Sequence, residues 1–297
     1  MNKHPYLKGF LLCLLIGSVS IASALLITTK RHSIGFPLAG EGKIAVMDIE
    51  GIIAKSRDTI DALYEYRDND NIKAIVIRID SPGGGVGPSQ EIYAELQKLR
   101  DKKLIVASLG SVAASGGYYI ACAANRIFAN PGTITGSIGV IIEFANIEDL
   151  LGKIGLKSVV IKSGRYKDIL SPTRTIKDDE KALIQSVIDS IHGQFIDAVS
   201  AGRNIPRKKV VEIADGRIFS GEQARANGLI DELGTLKDAI GFAAERTGLR
   251  ADSDVVYRKK KRISIIDYLL DESISKLTDV LLRDRSGAMF LLPDSAR

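Results

Sequence analysis

Cysteine and histidine are both scarce, with two cysteines and three histidines among 297 residues. Cys13 lies in an apolar N-terminal stretch and Cys122 among small residues, so they cannot form a disulfide framework or a set of metal ligands. His4 and His32 flank the apolar stretch, which leaves His192 as the one histidine available to a catalytic triad. Nothing near His192 in the sequence is typical of a catalytic site, so a histidine-based triad is disfavoured. We also expect no metal or organic cofactor, because no cluster of ligand residues indicates one.

A strong excess of one charge, low-complexity segments and internal repeats are missing as well. Hydrophobic residues make up 45% of the chain and charged residues 26%, which is typical of a globular protein rather than a disordered or fibrous one. The net charge is only +5, and one basic run lies at residues 258–262. Such a run can contact nucleic acid or anionic lipid, but a solvated linker is the simpler interpretation. No aromatic residues are interleaved, so we expect no nucleic-acid partner.

Charged residues are absent from residues 9–29, a stretch rich in leucine, isoleucine and valine. About 20 apolar residues are enough to cross a bilayer as a helix. The stretch is either an uncleaved signal anchor or a cleavable signal peptide with an A-x-A site at residues 22–24. The apolar run continues through residues 25–27, which favours the anchor. In both cases the bulk of the chain is expected to be exported.

The anchor divides the chain into segments. We expect a short cytoplasmic N-terminus at residues 1–8, a transmembrane signal anchor at 9–29 and a linker at 30–42. Basic residues flank the anchor on both sides, so the positive-inside rule gives its orientation little support. The main domain is predicted at residues 43–250, followed by a basic and amphipathic C-terminal segment at 251–297.

Strand and helix patterns alternate through the main domain. Residues 74–79 are almost continuously apolar, as expected for a strand that is buried on both faces. The repeated alternation predicts an α/β fold with a mostly parallel sheet and helices packed on it. The predicted strands are residues 44–49, 74–79, 104–108, 126–129 and 157–162. The predicted helices are residues 58–67, 88–99, 115–123, 147–154, 178–201 and 221–227.

A glycine-rich loop, Asp-Ser-Pro-Gly-Gly-Gly at residues 80–85, directly follows the buried strand. Glycines allow close approach of a ligand and let backbone N–H groups point at it. The loop is therefore a candidate oxyanion hole, and a plain tight turn is the alternative. A phosphate-binding loop is weakly supported, because no Gly-Lys-Ser/Thr follows.

Ser115 lies in Ala-Ala-Ser-Gly-Gly-Tyr-Tyr, residues 113–119, after the next predicted strand. A serine at a strand-to-helix turn is well placed as a nucleophile, and N–H groups at the start of a helix can stabilise an oxyanion. A simple N-cap serine is the alternative interpretation. A lysine can activate such a serine if burial lowers its pKa enough to make it neutral.

Lys167 is the candidate lysine, in Ser-Gly-Arg-Tyr-Lys-Asp at residues 163–168, directly after a predicted strand. A lone lysine is more often a surface charge, so only the pattern as a whole supports it as a base. Five segments in order resemble the signal peptide peptidase A family, in its short one-domain bacterial form. These segments are residues 80–85, 111–119, 132–139, 163–167 and 215–234. Each segment is modest alone, but five in order make the resemblance specific, and it covers most of the chain beyond the anchor.

The resemblance implies a role for each matching residue. Ser115 falls on the nucleophile, Lys167 on the general base, and Ser137 on a serine whose hydroxyl helps to position the lysine. The oxyanion donors would be the N–H of Gly116 and one N–H of the glycine-rich loop, where Gly84 is preferred. Residues 215–234 are expected to be structural. The implied fold is that of Clp protease and crotonase, with repeated ββα units and a peptidase domain at residues 43–250.

The resemblance also implies a location, a substrate and an assembly. The enzyme would sit in the bacterial inner membrane as a single-pass protein, with its catalytic domain on the periplasmic or extracellular side. Its substrates would be remnant signal peptides, with misfolded exported proteins as a further class. Small residues next to Ser115 leave room for an extended, apolar peptide. A ring-shaped homo-oligomer is implied, in which Ser115 of one subunit works with Lys167 of a neighbour.

Two rival functions and two features of the C-terminal segment stay open. A crotonase-type enzyme acting on an acyl thioester would share the fold and the glycine-rich loop, and a catalytically inactive membrane scaffold would share the assembly. Residues 263–282 carry apolar residues at helical spacing, which predicts packing on the core or on a neighbouring subunit. The apolar residues 288–293 are predicted to lie as an extended strand in a substrate groove, or else to pack on the surface.

Overall fold

The computed structural model describes residues 42–250, 255–258 and 289–291. The predicted anchor at residues 9–29, almost all of the linker and the amphipathic stretch at 263–282 lie outside this part of the chain. Among the described residues, no helix has the length and apolar character needed to span a membrane.

The strands and helices alternate as the sequence pattern predicts. The strands are β1 (Lys43–Glu50), β2 (Ile72–Ser81), β3 (Gly83–Gly85), β4 (Leu104–Ala114), β5 (Arg126–Ala129), β6 (Ile134–Gly136), β7 (Ile218–Phe219), β8 (Glu232–Leu233), β9 (Val255–Tyr257) and β10 (Met289–Leu291). The helices are α1 (Arg57–Arg67), α2 (Val86–Leu99), α3 (Gly116–Ala121), α4 (Glu148–Lys153), α5 (Asp178–Arg203), α6 (Arg207–Ile213), α7 (Gly221–Ala226) and α8 (Leu236–Arg246).

One eight-stranded sheet organises the domain, and it is parallel except where β6 pairs with β7. Its path runs β7-β6-β4-β2-β1-β9, and β5 and β8 branch from β4. The long strand β4 makes this branch possible, because Val106 to Leu109 pair with β5 while Val112 to Ala114 pair with β6. The mostly parallel α/β fold predicted from the sequence is therefore confirmed.

Helices cover both faces of this sheet. Successive residues of a strand point to opposite faces, so Ile75, Ile77 and Ile79 belong to one core while Ala74 and Val76 belong to another. The first core is closed by residues of α1, α2, α3 and α5. The second core is smaller and is closed by the alanines of α8. Burial on both faces explains why β2 is almost continuously apolar.

The predicted strand at residues 157–162 is wrong. These residues form no strand, and their apolar side chains are open to solvent, with Val159 83% and Ile161 97% exposed. Alternating apolar residues form a strand only when another strand lies alongside, and the described part of this chain provides none there. The apolar residues of this stretch therefore form an exposed surface on the single chain.

Two helices and half of β4 lie outside the predicted elements. Helix α8 buries Ala239, Ala243 and Ala244, and Leu236 and Ile240 pack beside them at helical spacing, so this helix was not predicted although its pattern is present. Helix α6 buries only Val210. Strand β4 was predicted to end at residue 108, but it continues to Ala114 through small residues that are typical of a loop. This extension carries the chain directly to Ser115.

Candidate active site

Ser115 lies between the end of β4 and the start of α3, with φ 54° and ψ −118°. Its backbone is fixed on both sides, because its N–H donates to the Gly136 carbonyl at 2.8 Å and its carbonyl accepts from the Tyr119 N–H at 2.8 Å. Its hydroxyl is fully buried and, among the described residues, has no hydrogen-bond partner. Ser115 occupies the N-cap position of α3 but makes no capping hydrogen bond, so capping does not account for this serine. A buried hydroxyl at a strained backbone position is typical of a functional serine.

Ser137 comes to the same place through the pairing of β4 with β6. Ala114 and Gly136 are partners in this parallel ladder, so the residues that follow them, Ser115 and Ser137, are adjacent in the fold. Ser137 is also buried and also has a positive φ, at 51°. Its N–H donates to the carbonyl of Arg217 at 2.9 Å. Two serines that are far apart in sequence are thus held next to each other at the carboxyl ends of two adjacent strands.

The glycine-rich loop forms the short strand β3, and its amide groups point in two directions. On one side, the Gly83 carbonyl accepts from the Ile53 N–H at 2.9 Å, and the Gly85 N–H donates to the Ile53 carbonyl at 2.9 Å. The N–H of Gly83 donates to the hydroxyl of Ser81 at 3.1 Å. Because alternate peptide groups of a strand point to opposite sides, the N–H of Gly84 faces away from Ile53.

Helix α3 packs closely against this loop and the end of β2. A Cβ on Gly117 would lie 3.1 Å from the carbonyl oxygen of Ser81, so only a small residue fits there without adjustment. The register of β2 with β4 pairs Ser81 with Ala113, two residues before Ser115. The glycine-rich loop and the Ser115 turn are therefore neighbours, as the parallel sheet predicts for loops at the same ends of adjacent strands.

The strand β10 lies on the free side of the loop. Residues Met289 to Leu291 pair with Gly85 to Gly83 in antiparallel register, and Phe290 is the partner of Gly84. Part of the predicted extended strand at residues 288–293 is therefore observed as a strand. The loop accepts an extended peptide through its backbone, which is how many peptide-binding proteins add a strand to a sheet edge.

Lys167 lies on the exposed segment between β6 and α5. Its N–H donates to the Gly164 carbonyl at 3.2 Å within a series of turns, and its side chain is exposed. The described part of the chain therefore brings Ser115 and Ser137 together beside the glycine-rich loop, but no hydrogen bond there joins Lys167 to the Ser115 hydroxyl. Its neighbour Asp168 is held by Arg174, which keeps the pKa of that carboxyl well below its usual range.

Other reactive side chains do not compete with Ser115. Cys122 is buried, and burial raises the pKa of its thiol to about 12, so the thiolate is rare at neutral pH. The hydroxyl of Tyr118 is likewise buried and donates to the Leu229 carbonyl at 2.7 Å. His192 lies on α5, and its Nε2 is buried without a partner among the described residues. None of these groups is joined to Ser115 by a hydrogen bond in the described structure.

Sequence patterns gave no role to three polar residues that hold this site. The Ser81 hydroxyl donates to the Gly51 carbonyl at 2.6 Å, and the Thr135 hydroxyl donates to the Ala113 carbonyl at 2.7 Å. A carboxylate oxygen of Asp80 accepts from the Val112 N–H at 3.1 Å. Small polar residues beside glycines are the only signal in the sequence, and such residues are equally common in ordinary turns.

Comparison with known proteins places these features in a family. Peptidase family S49 matches residues 97–250, and Clp protease matches residues 44–133. A Synechocystis protein named as a candidate protease, slr0021, is 48% identical over 73% of this chain and 79% of its own length. A candidate signal peptide peptidase SppA of Enterococcus faecium is 36% identical over 74% of this chain and 68% of its own length. Protease 4 of Salmonella typhi is 33% identical over 88% of this chain, which spans only 43% of that longer protein.

Proposed function

Since this chain belongs to peptidase family S49, the signal peptide peptidase A family, we propose that it is a membrane-anchored serine endopeptidase with a Ser/Lys catalytic pair. Ser115 would be the nucleophile and Lys167 the general base. The observation that carries the proposal is the Ser115 turn, where a buried hydroxyl that has no partner among the described residues is held at positive φ. Strained backbone of this kind persists where the surrounding structure holds a reactive group in place.

The proposed reaction proceeds through an acyl-enzyme. Neutral Lys167 accepts the hydroxyl proton of Ser115 while the serine oxygen attacks the scissile carbonyl. The tetrahedral oxyanion collapses, the C–N bond breaks, and Lys167 returns the proton to the leaving amine. Water, deprotonated by the same lysine, then hydrolyses the ester and releases the second product. Because the lysine must be neutral, activity is expected to rise towards alkaline pH.

Gly84 and Gly116 are proposed to donate to the oxyanion. Support for Gly84 comes from the loop itself, since the N–H of Gly83 is already bonded to Ser81 and that of Gly85 to Ile53. The N–H of Gly84 points to the side where β10 lies. Gly116 follows the nucleophile at the start of α3, where the first N–H groups have no partner within the helix.

Replacing Gly84 with alanine is expected to lower kcat by about 10²–10³-fold, the usual effect of losing one oxyanion donor. The added Cβ would lie 2.3 Å from the Ile53 carbonyl oxygen, so β3 has to move and the N–H of Gly84 moves with it. Gly87→Ala is the matched control, because nothing lies within 4 Å of its added Cβ. Steady-state peptide hydrolysis measures both variants, and full kcat in Gly84→Ala would exclude this residue from the oxyanion hole.

Peptide substrates are proposed to bind as β10 does, by adding an antiparallel strand to Gly83–Gly85. This mode uses backbone hydrogen bonds and so tolerates many sequences. It requires an extended chain, which excludes folded proteins and suits released signal peptides that still lie in the membrane. The anchor proposed at residues 9–29 would hold the enzyme beside such peptides in the bacterial inner membrane, with the catalytic domain on the exported side. The relatives named as signal peptide peptidases support this substrate class.

Removing residues 288–297 is expected to raise the cleavage rate of a synthetic signal peptide. A tethered segment acts at millimolar effective concentration, so its loss should give roughly a tenfold increase when the substrate is much more dilute. The full chain and the shortened chain are compared in detergent micelles, with products identified by mass spectrometry. An unchanged rate would mean that β10 does not compete with substrate. A complete lack of hydrolysis by both chains would contradict the proposed function.

Lys167 is proposed to reach Ser115 of a neighbouring subunit in a ring-shaped homo-oligomer. The segment that carries Lys167 begins with an exposed apolar surface, which a second copy of the chain would cover. The exposed apolar residues of this surface are Ile141, Phe144, Ile147, Leu150, Ile154, Leu156, Val159, Val160 and Ile161. Within the described residues the Ser115 hydroxyl has no partner and Lys167 is exposed, which supports a site shared across the interface.

A further inference from the structure

Lys167 lies in a stretch of irregular backbone that neither the sheet nor a helix holds in place. Three successive turns form it, with Lys167 N–H donating to Gly164, Ile169 to Tyr166 and Ser171 to Asp168 at 3.0 to 3.2 Å. A general base needs a fixed position, because displacement by about 1 Å can cost 10²-fold in rate. Something other than regular secondary structure must therefore fix this stretch.

The side chain of Arg174 connects this stretch to α5. Its Nε donates to Asp168 Oδ2 at 2.8 Å, and its Nη2 donates to the Asp168 carbonyl at 3.1 Å. The same guanidinium forms a bidentate pair with Glu180, at 2.7 Å from Nη1 to Oε2 and 2.5 Å from Nη2 to Oε1. Nη1 also donates to the Thr175 carbonyl at 3.2 Å. All five donors of Arg174 are thus used, and the backbone of the residue after Lys167 is one of the acceptors.

Glu180 fixes this connection to α5. Its side chain is only 2% exposed, against 11% for Asp168 and 23% for Arg174. It lies in the first turn of α5 and accepts from the Lys177 N–H at 3.0 Å. The other half of this 26-residue helix is anchored in the core through Phe195 and Val199. A carboxylate at the N-terminus of a helix is also favoured by the helix dipole.

Asp168 is held from the opposite side as well. Lys162 forms an ion pair with its Oδ1, and the same ammonium group donates to the Arg165 carbonyl at 2.9 Å. The chain on both sides of Lys167 is therefore fastened to one carboxylate. Removing Arg174 would leave Asp168 with the Lys162 ammonium and Glu180 with the Lys177 N–H, so the connection between the turns and α5 would be lost.

We infer that Asp168, Arg174 and Glu180 form a positioning cluster that holds Lys167 at the geometry required for proton transfer. The inference rests on the proposed function, because it presupposes that Lys167 is the base. The three residues act through the backbone of the Lys167 turn, and none is assigned contact with substrate. They are positioning residues, and Arg174 is the central one because it contacts both carboxylates.

The cluster stays ionised over the whole pH range in which the base works. Arg174 holds the pKa of Glu180 down to about 2, helped by the Lys177 N–H, and it holds that of Asp168 well below the usual range. Lowered carboxyl pKa values mean that this stabilisation is lost only as the pH falls through those values. A change in the alkaline part of the rate profile therefore cannot come from these carboxylates. The other charged groups close to this cluster in sequence are Lys162, Arg165, Lys177, Asp178 and Asp179, and Glu148 of α4 accepts from the Thr175 N–H at 2.7 Å.

The test compares Arg174→Lys with Asp179→Asn in the full chain. Arg174→Lys keeps the charge but loses the bidentate and backbone contacts. We expect kcat for peptide hydrolysis to fall about 10²-fold with KM nearly unchanged. We also expect the pH midpoint of kcat to change, since a displaced amine meets different charges and a different amount of solvent. Asp179→Asn removes a second connection between the segment and α5, the exposed Arg165–Asp179 pair at 2.6 Å, and should leave kcat and the pH midpoint unchanged.

Three other outcomes are informative. A lower Tm for Arg174→Lys, with the wild-type kcat and pH midpoint at a temperature well below that Tm, would assign the cluster a purely structural role and overturn the inference. Equal losses in Arg174→Lys and Asp179→Asn would overturn it too, because any tether would then suffice. Full activity in Lys167→Ala would instead refute the proposed base itself, so failure of the function and failure of the positioning cluster are distinguishable.

Discussion

Ser115→Ala and Lys167→Ala are each expected to reduce peptide hydrolysis by about 10⁴–10⁶-fold, the range seen when a nucleophile or its base is removed from a serine peptidase. Without the serine oxygen no acyl-enzyme forms, and without the amine its proton has no acceptor. Because the two residues act as a unit, the double variant should be no slower than either single one. Initial rates on a synthetic signal peptide measure all three.

The folded state of each variant needs its own measurement, because Ser115 is buried while Lys167 is exposed. Tm and molecular mass in detergent should match the wild type, since neither side chain makes a hydrogen bond within the described structure that the substitution would remove. A serine-reactive phosphonate should label the wild type at Ser115. Retention of the wild-type rate by Lys167→Ala, with labelling intact, would place the general base elsewhere in the chain.

Two inactive variants are expected to restore activity when they are produced together. If Ser115 and Lys167 of one site come from different subunits, a ring assembled at random from Ser115→Ala and Lys167→Ala chains has about a quarter of its sites intact, since each residue is native half the time. Such a head-to-tail contact joins two different surfaces of the same chain. The specific activity of the co-expressed, co-purified complex is the quantity to measure.

The control mixture combines Ser115→Ala chains with chains of the double variant, so none of its sites contains Ser115. This mixture should be inactive at any ratio. Failure of the first mixture to exceed the control, although both variants are present in one complex by mass spectrometry, would mean that the pair lies within a single chain. The exposed apolar surface at residues 141–161 would then need another explanation, such as contact with lipid.

Membership of peptidase family S49 favours a peptidase over the crotonase-type acyl-thioester enzyme that the fold alone would permit. The inactive scaffold is the rival that the family does not address. Labelling of Ser115 by the phosphonate is expected to exclude it, because an inert scaffold has no activated hydroxyl to label.

Local patterns were sufficient to predict most of the α/β framework. The apolar run of β2 and the amphipathic helices α1, α2 and α5 are encoded by neighbouring residues, and the predicted bounds agree within a few residues. The strand predicted at residues 157–162 was wrong because it lacks a neighbouring strand, so packing rather than local pattern decides the structure there. Helix α8, by contrast, carries apolar residues at helical spacing and was simply not predicted.

For the site, the sequence by itself indicated the candidate catalytic groups. A glycine-rich loop, a serine among small residues and a lysine after an apolar stretch were recognisable because glycine content and motif order are properties of the chain. Only the tertiary structure decided that β4 and β6 place Ser115 beside Ser137, that Gly84 has the outward N–H, and that Arg174 secures the Lys167 turn. The physical reason is that hydrogen-bond direction, burial and backbone strain depend on residues brought together from distant parts of the chain, and no local pattern encodes them.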